Sequence, residues 1–209
     1  MEQTSNLGGG SVWPLARINE VTAVARGHGL STHLDGARLM NAVVASGISA
    51  REYAAPFDSA WIDFTKGLGA PVGAAMAGSR AFIDEAWRCK QQMGGAMRQA
   101  GIIAAGGVYA LRHHVKRLAD DHANARRLAE GLAQLPGVRL DPATVETNIV
   151  FFVTSANAAE AVEHMLAHGV RMGALGPHTI RAVTHLDVDA AGIGRALGVA
   201  REVFTGLPG

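Results

Sequence analysis

Asp35 and Lys66 are the two side chains whose types and spacing point to chemistry. Thirty-one positions separate them, about the length of a strand, a crossover helix and a second, parallel strand. That spacing predicts both residues at the carboxyl ends of neighbouring strands, the edge of an open α/β sheet where ligands bind. Lys66 follows an apolar run and is surrounded by Gly67, Gly69 and Gly73. Partial desolvation there would favour the neutral amine that forms a Schiff base. An aspartate beside a pyridine ring keeps the ring nitrogen protonated and makes the ring an electron sink. Spacing alone leaves the plain readings open: a solvated loop lysine, and an Asp-Gly pair that only makes a turn.

The elements that must position these residues are legible from periodicity. Pro14 opens a helix carrying Ile18, Val21, Thr22, Val24 and Ala25, which ends at Gly27 or Gly29. Ser31 to Leu34 reads as a strand, Asp35-Gly36 as a break, and Ala37 to Ala45 as a helix. Ser59 to Phe64 and Pro71 to Ala77 read as strands, and Ala81 to Gln92 as a helix. From Met97 to Leu135 the spacing is helical, as one bent helix or two in series. Beyond Pro136-Gly137 the pattern predicts strands at 138–140, 148–153, 170–172 and 179–184, with helices at 158–168 and 190–204. The fold class is therefore α/β followed by a smaller α+β unit, with the boundary near 120–137, taken as 1–125 and 126–209.

Composition narrows the partners. Among 209 residues, 19 Lys and Arg against 18 Asp and Glu leave a formal charge of +1, no footprint for nucleic acid or an anionic membrane. Small molecules and further copies of the chain are the expected partners. Cys89 is the single cysteine, which excludes an intramolecular disulfide and a multi-thiolate zinc site and fits a cytoplasmic setting. No export signal and no apolar run of about 20 residues appears, so a soluble protein is expected. His113, His114 and His122 fall on or near one helix, but adjacent positions point about 100° apart, so a solvated face is favoured over a metal site. Gly67-Leu68-Gly69 lacks the third glycine and the later acidic residue of a dinucleotide fingerprint.

The wording of the sequence adds more than its spacing. His33-Leu34-Asp35-Gly36-Ala37-Arg38, Thr65-Lys66-Gly67-Leu68-Gly69-Ala70-Pro71-Val72-Gly73 and Gly94-Gly95-Ala96-Met97-Arg98-Gln99 closely resemble three blocks of the low-specificity L-threonine aldolases. These are β-eliminating-lyase relatives with the fold type I (aspartate aminotransferase-like) architecture of enzymes that use pyridoxal 5'-phosphate. Glu2 to Asn6 with Gly8-Gly9-Gly10, and Ile180 to Asp187, agree in order. The resemblance covers almost the whole chain and implies a lyase that cleaves the Cα–Cβ bond of a β-hydroxy amino acid, threonine or allo-threonine, to glycine and acetaldehyde. It implies that Lys66 holds the cofactor, Asp35 pairs with its pyridine nitrogen, and Arg38 lies near its ring hydroxyl and the substrate carboxylate. Arg181 would form the main fork to that carboxylate, and Arg98 would reach a phosphate, usually that of a neighbouring subunit in a dimer of dimers. His185 is left outside the catalytic set. Other β-eliminating chemistry and a non-catalytic remnant are the rival readings.

Against that family the chain begins late. A front portion that in relatives carries a phosphate-binding glycine-threonine loop and a ring-stacking histidine has no counterpart before Met1. The expectations are a partial large domain, an uncovered sheet edge, and weak cofactor binding by this chain alone.

Overall fold

The computed structural model describes residues 1–206 and divides into two compact units, Met1–Ser5 with Val12–Leu118, and Asn6–Ser11 with Ala119 onward. The first unit begins with α1 (Leu15–Gly27), which buries Ile18 and Thr22. It continues through β1 (His33–Gly36), α2 (Leu39–Ser46), α3 (Ala50–Ala54), β2 (Ser59–Asp63), β3 (Ala74–Gly78), α4 (Arg80–Gln92) and α5 (Gly101–His113). Its sheet has the order β1-β2-β3. β1 runs parallel to β2 with Asp35 opposite Trp61, so strand, crossover and parallel strand are present as the spacing requires. β3 returns antiparallel, with Met76 opposite Trp61 and Ala74 opposite Asp63. Ile18, Leu34, Leu39, Ala42 and Tyr53 form one buried cluster, and Leu68, Ala70, Ala110 and Leu118 another. All five residues of β3 are exposed.

The strand expected at 170–172 forms instead at Gly173–Ala174, and two elements of the first unit differ from the sequence expectation for physical reasons. β1 lies two residues later, so Asp35 and Gly36 are inside the strand rather than in a break. Asp35 N–H donates to the Met1 carbonyl (2.8 Å) and Gln3 N–H to the Asp35 carbonyl (2.9 Å), a non-local pairing that holds this residue extended. α3 is too short for apolar periodicity to show, but Ser49 and Glu52 carry its capping box: each side chain bonds the other's backbone N–H.

The second unit contains α6 (Leu118–Leu132), β4 (Val138–Arg139), a 3-10 turn at Pro142–Thr144, β5 (Ile149–Thr154), α7 (Ala158–Ala167), β6 (Gly173–Ala174), β7 (Thr179–Val183) and α8 (Ala190–Gly206). The strands form an antiparallel sheet in the order β4-β5-β7-β6. Its core joins Leu128 and Leu132 of α6, Val150 and Phe152 of β5, Met165 of α7, Ile180 of β7 and Phe204 of α8. Phe152 and Phe204 meet edge to face at 6.0 Å. In the structure the compact units divide at 118/119, against the 125/126 taken from the sequence. The apolar stripe of α6 faces this core, so almost the whole helix belongs to the second unit. Asn6–Ser11 joins it as well, tied by Thr147 Oγ1 donating to the Gly10 carbonyl at 2.6 Å. Among the described residues, no helix is long and apolar enough to cross a membrane.

Burial of His122 on α6 pushes its imidazole down to about 4. The unfolded residue, near 6.5, takes up a proton first. Stability from this residue is therefore complete above about pH 6.5, declines as pH falls towards 4, and then levels off. Partial access to solvent reduces the full linkage to about 2 kcal/mol. Urea unfolding at pH 7 and pH 4.5 should show that loss, and His122→Gln should flatten it; an unchanged slope in the variant would exclude His122 as its source.

Candidate functional site

The parallel pairing of β1 with β2 sets the geometry around Lys66. Residues paired in register point to the same side of a sheet, as do residues two apart on one strand. Asp35, Trp61 and Asp63 therefore share one face. Lys66 follows β2 by three residues, and its Nζ stands 5.4 Å from the centroid of the Trp61 ring. The same Nζ pairs with Asp63 Oδ2 at 3.1 Å. The other oxygen of Asp63 is fixed by Thr65, whose N–H and Oγ1–H donate to Oδ1 at 2.5 and 2.6 Å. These bonds, with the Lys66 ammonium, hold the Asp63 carboxyl below its usual range although burial opposes them. Burial is the largest single cause there; the hydrogen bonds and the cation together outweigh it. Of the Lys66 side chain 37% is exposed, and the loop turns its amine toward the Asp63 carboxylate.

That loop is anchored from below. His114 Nδ1 lies 2.6 Å from the Leu68 carbonyl; a carbonyl only accepts, so the proton is on Nδ1. A Cβ on Gly67 would stand 2.9 Å from Leu118 Cδ2 and 3.2 Å from Asn41 Oδ1, which shows how closely the loop packs on its supports. His114→Ala would strand the buried Leu68 carbonyl and cost about 1–3 kcal/mol of first-unit stability. His114→Asn, which keeps a donor, should recover most of it in urea unfolding. Equal losses in both variants would deny the hydrogen bond its part.

Asp35 accepts from Ala37 N–H at 3.0 Å through Oδ1, which fixes its carboxylate at the end of β1. Arg38 stands at the N-cap of α2 and lines a narrow cleft with Gly36, Asn41, Ile62, Asp63 and Gly67. The fold thus brings Asp35, Arg38 and Lys66 to one end of the β1–β2 pair. Arg98 is exposed, in the segment between α4 and α5 beside Met93 and Ile102, which are 86% and 87% exposed. Arg181 belongs to the second unit. It lies on β7 opposite Phe151 of β5, and its Nη2 donates to Asn6 Oδ1 at 2.8 Å. Its Nε is a buried donor with no hydrogen-bond acceptor among the described residues. His185 is exposed and pairs with Asp187 at 3.5 Å.

Three partners escape the sequence reading. Asp63 carries a usable signal, since Asp-Phe-Thr-Lys puts an Asx-type acceptor two residues before Thr65 and three before Lys66. Trp61 is found only once the loop is seen to fold back. Asn6 lies 175 positions from Arg181, and no local pattern links them.

In the first unit an amine and carboxylates at one sheet end fit an aldehyde-bearing pyridine ring, and in the second an arginine whose buried Nε has no acceptor among the described residues fits a carboxylate. The fold and these residues define the class of fold type I enzymes. The protein belongs to the beta-eliminating lyase family, whose model matches residues 1–155. It is 36% identical over 208 residues to low-specificity L-threonine aldolase 2 of Arabidopsis thaliana, spanning 98% of this chain and 59% of that protein. It is 42% identical over 189 residues to low specificity L-threonine aldolase of Escherichia coli K12, spanning 90% of this chain and 54% of that one. A crystal structure described as an aromatic amino acid beta-eliminating lyase/threonine aldolase from Exiguobacterium superposes with a TM-score of 0.80 at 25% identity, covering 97% of this chain and 61% of that one. The chain thus spans a little over half the length of the curated relatives it matches.

Proposed function

We propose that the protein is a lyase dependent on pyridoxal 5'-phosphate that cleaves the Cα–Cβ bond of β-hydroxy amino acids, threonine or allo-threonine, to glycine and acetaldehyde. The observation that carries this reading is the Lys66 amine standing on the same sheet face as Asp35, within a chain 36–42% identical to threonine aldolases. When bound, the cofactor supplies an electron sink for the charge left on Cα. Lys66 would hold it through Nζ, Asp35 would keep a proton on its ring nitrogen, and Arg38 would face its ring hydroxyl. Arg181 would grip the substrate carboxylate, where its planar fork fixes which Cα bond is presented for cleavage. Arg98 would meet the cofactor phosphate of a neighbouring subunit in a dimer of dimers. Support for that part comes from the exposed apolar residues flanking it, Met93 and Ile102, which a second copy would cover. A cytoplasmic setting is consistent with the lone thiol of Cys89.

The test is to add pyridoxal 5'-phosphate, reduce with borohydride and map the label, then assay products. Label concentrated at Lys66, with glycine and acetaldehyde formed from threonine, is expected. Label scattered over surface lysines would overturn the site. Pyruvate and ammonia from serine, without glycine from threonine, would replace the aldolase by a β-eliminating lyase.

A further inference from the structure

We propose that Asp63 is a positioning residue for Lys66: its carboxylate tethers the ammonium above Trp61 and must release it before Nζ can attack a carbonyl carbon. The inference rests on the reading of Lys66 as the carbonyl-reacting amine. Its geometric basis is a carboxylate with one oxygen already committed. Thr65 N–H and Oγ1–H both bind Oδ1, so Asp63 cannot rotate without losing two bonds, and Oδ2 stays aimed at Nζ, 3.1 Å away. Asp63 is only 13% exposed, which limits the water that would otherwise screen the pair. Below the amine, the Trp61 ring fixes the other side of the charge at 5.4 Å.

The neighbouring charges do not replace this tether. From β1, Asp35 shares the sheet face through its register with Trp61. From β3, only Ala74 and Met76 stand opposite Asp63 and Trp61. Arg38 at the start of α2 lines the cleft that includes Asp63, and Lys90 of α4 lines the apolar groove that includes Trp61, with its own ammonium over Trp87.

The step controlled is simple to balance. The Lys66 ammonium gives a proton to water and leaves Asp63. Its freed lone pair forms the N–C bond to an aldehyde carbon, and the carbonyl oxygen departs as water with the remaining two amine protons, leaving the C=N bond. An ammonium held against a carboxylate is withdrawn from that step, and a tether of this exposure restrains it by about fivefold in rate.

Formaldehyde with cyanoborohydride is the probe, because it reads amine reactivity without the cofactor. Labelling of Lys66 would be followed by peptide mass in the 209-residue chain across pH 6 to 10. Asp63→Asn keeps the oxygen that accepts from Thr65 but removes the charge. It should label Lys66 about fivefold faster near pH 7.5, while Lys90 labels as before. If Asp63→Asn does not fold, Thr65→Val frees Oδ1 from one bond and should accelerate Lys66 by about twofold. Equal labelling rates for Lys66 in the variant and the parent, with Lys90 unchanged in both, would overturn the tether. Because no pyridoxal 5'-phosphate is used, failure to label Lys66 with that cofactor would count against the proposed function and leave this result standing.

Discussion

Gly36→Val should unfold the first unit or cost it more than about 3 kcal/mol in urea, the largest loss expected from a single added side chain here. A Cβ at Gly36 would stand 2.1 Å from the Trp61 carbonyl oxygen and 3.2 Å from its carbon. Both are backbone atoms of the paired strand, so no rotamer change relieves the overlap. β1 must then separate from β2, and with it goes the register that sets Asp35 beside Trp61. Even Gly36→Ala should lose most of the same stability, because the overlap is with Cβ itself. Gly27→Ala is the control: nothing lies within 4 Å of the added Cβ, and the helical backbone of α1 should gain a few tenths to about 1 kcal/mol. A Gly36→Val protein unfolding at the parent's urea midpoint would mean that β1 and β2 do not pack this closely.

This contrast shows which parts of the molecule are local in sequence. α1, β2 and α4 follow from apolar periodicity and punctuation, because each is fixed by its own residues, whereas the break between α5 and α6 falls after His113 rather than at the Gly106-Gly107 pair, which lies inside α5. β1 is displaced by two residues from its sequence pattern because Met1 and Gln3 pair with Asp35 across more than thirty positions, and pairing of that kind leaves no periodic trace. The Asp35 and Lys66 positions are legible, since a βαβ unit fixes the spacing of its strand ends. The direction of β3 is not, because an antiparallel return and a parallel crossover share the same alternation. Nor is the partner of Lys66: the glycines around it let the loop fold back so that the amine meets Asp63, a contact no local pattern announces. The domain division moved for a similar reason. α6 carries apolar residues that either neighbour could bury, and only the assembled β5–β7 face selects between them.

Arg181→Met should weaken binding of an amino-acid carboxylate by about a hundredfold while leaving second-unit stability within about 1 kcal/mol of the parent. The two effects separate because the guanidinium has different obligations in the two states. Among the described residues it gives one bond, Nη2 to Asn6 Oδ1 at 2.8 Å, and holds one buried donor, Nε, without an acceptor. Replacing it by an apolar chain of similar length loses the first and removes the cost of the second, so folding changes little. A bound carboxylate would take two charge-assisted bonds from the fork, together about 3 kcal/mol, or somewhat over a hundredfold in affinity. Arg181→Lys keeps the charge but not the planar pair of donors, so it should recover only part of the affinity. Glycine is the probe of choice, since it offers the carboxylate and amine with no side chain to compensate. It would be titrated against protein loaded with pyridoxal 5'-phosphate and followed by the cofactor's absorption, with urea unfolding of the same variants alongside. Parent-like glycine affinity in Arg181→Met would remove Arg181 from the carboxylate role, and the orphaned Nε would then need another acceptor.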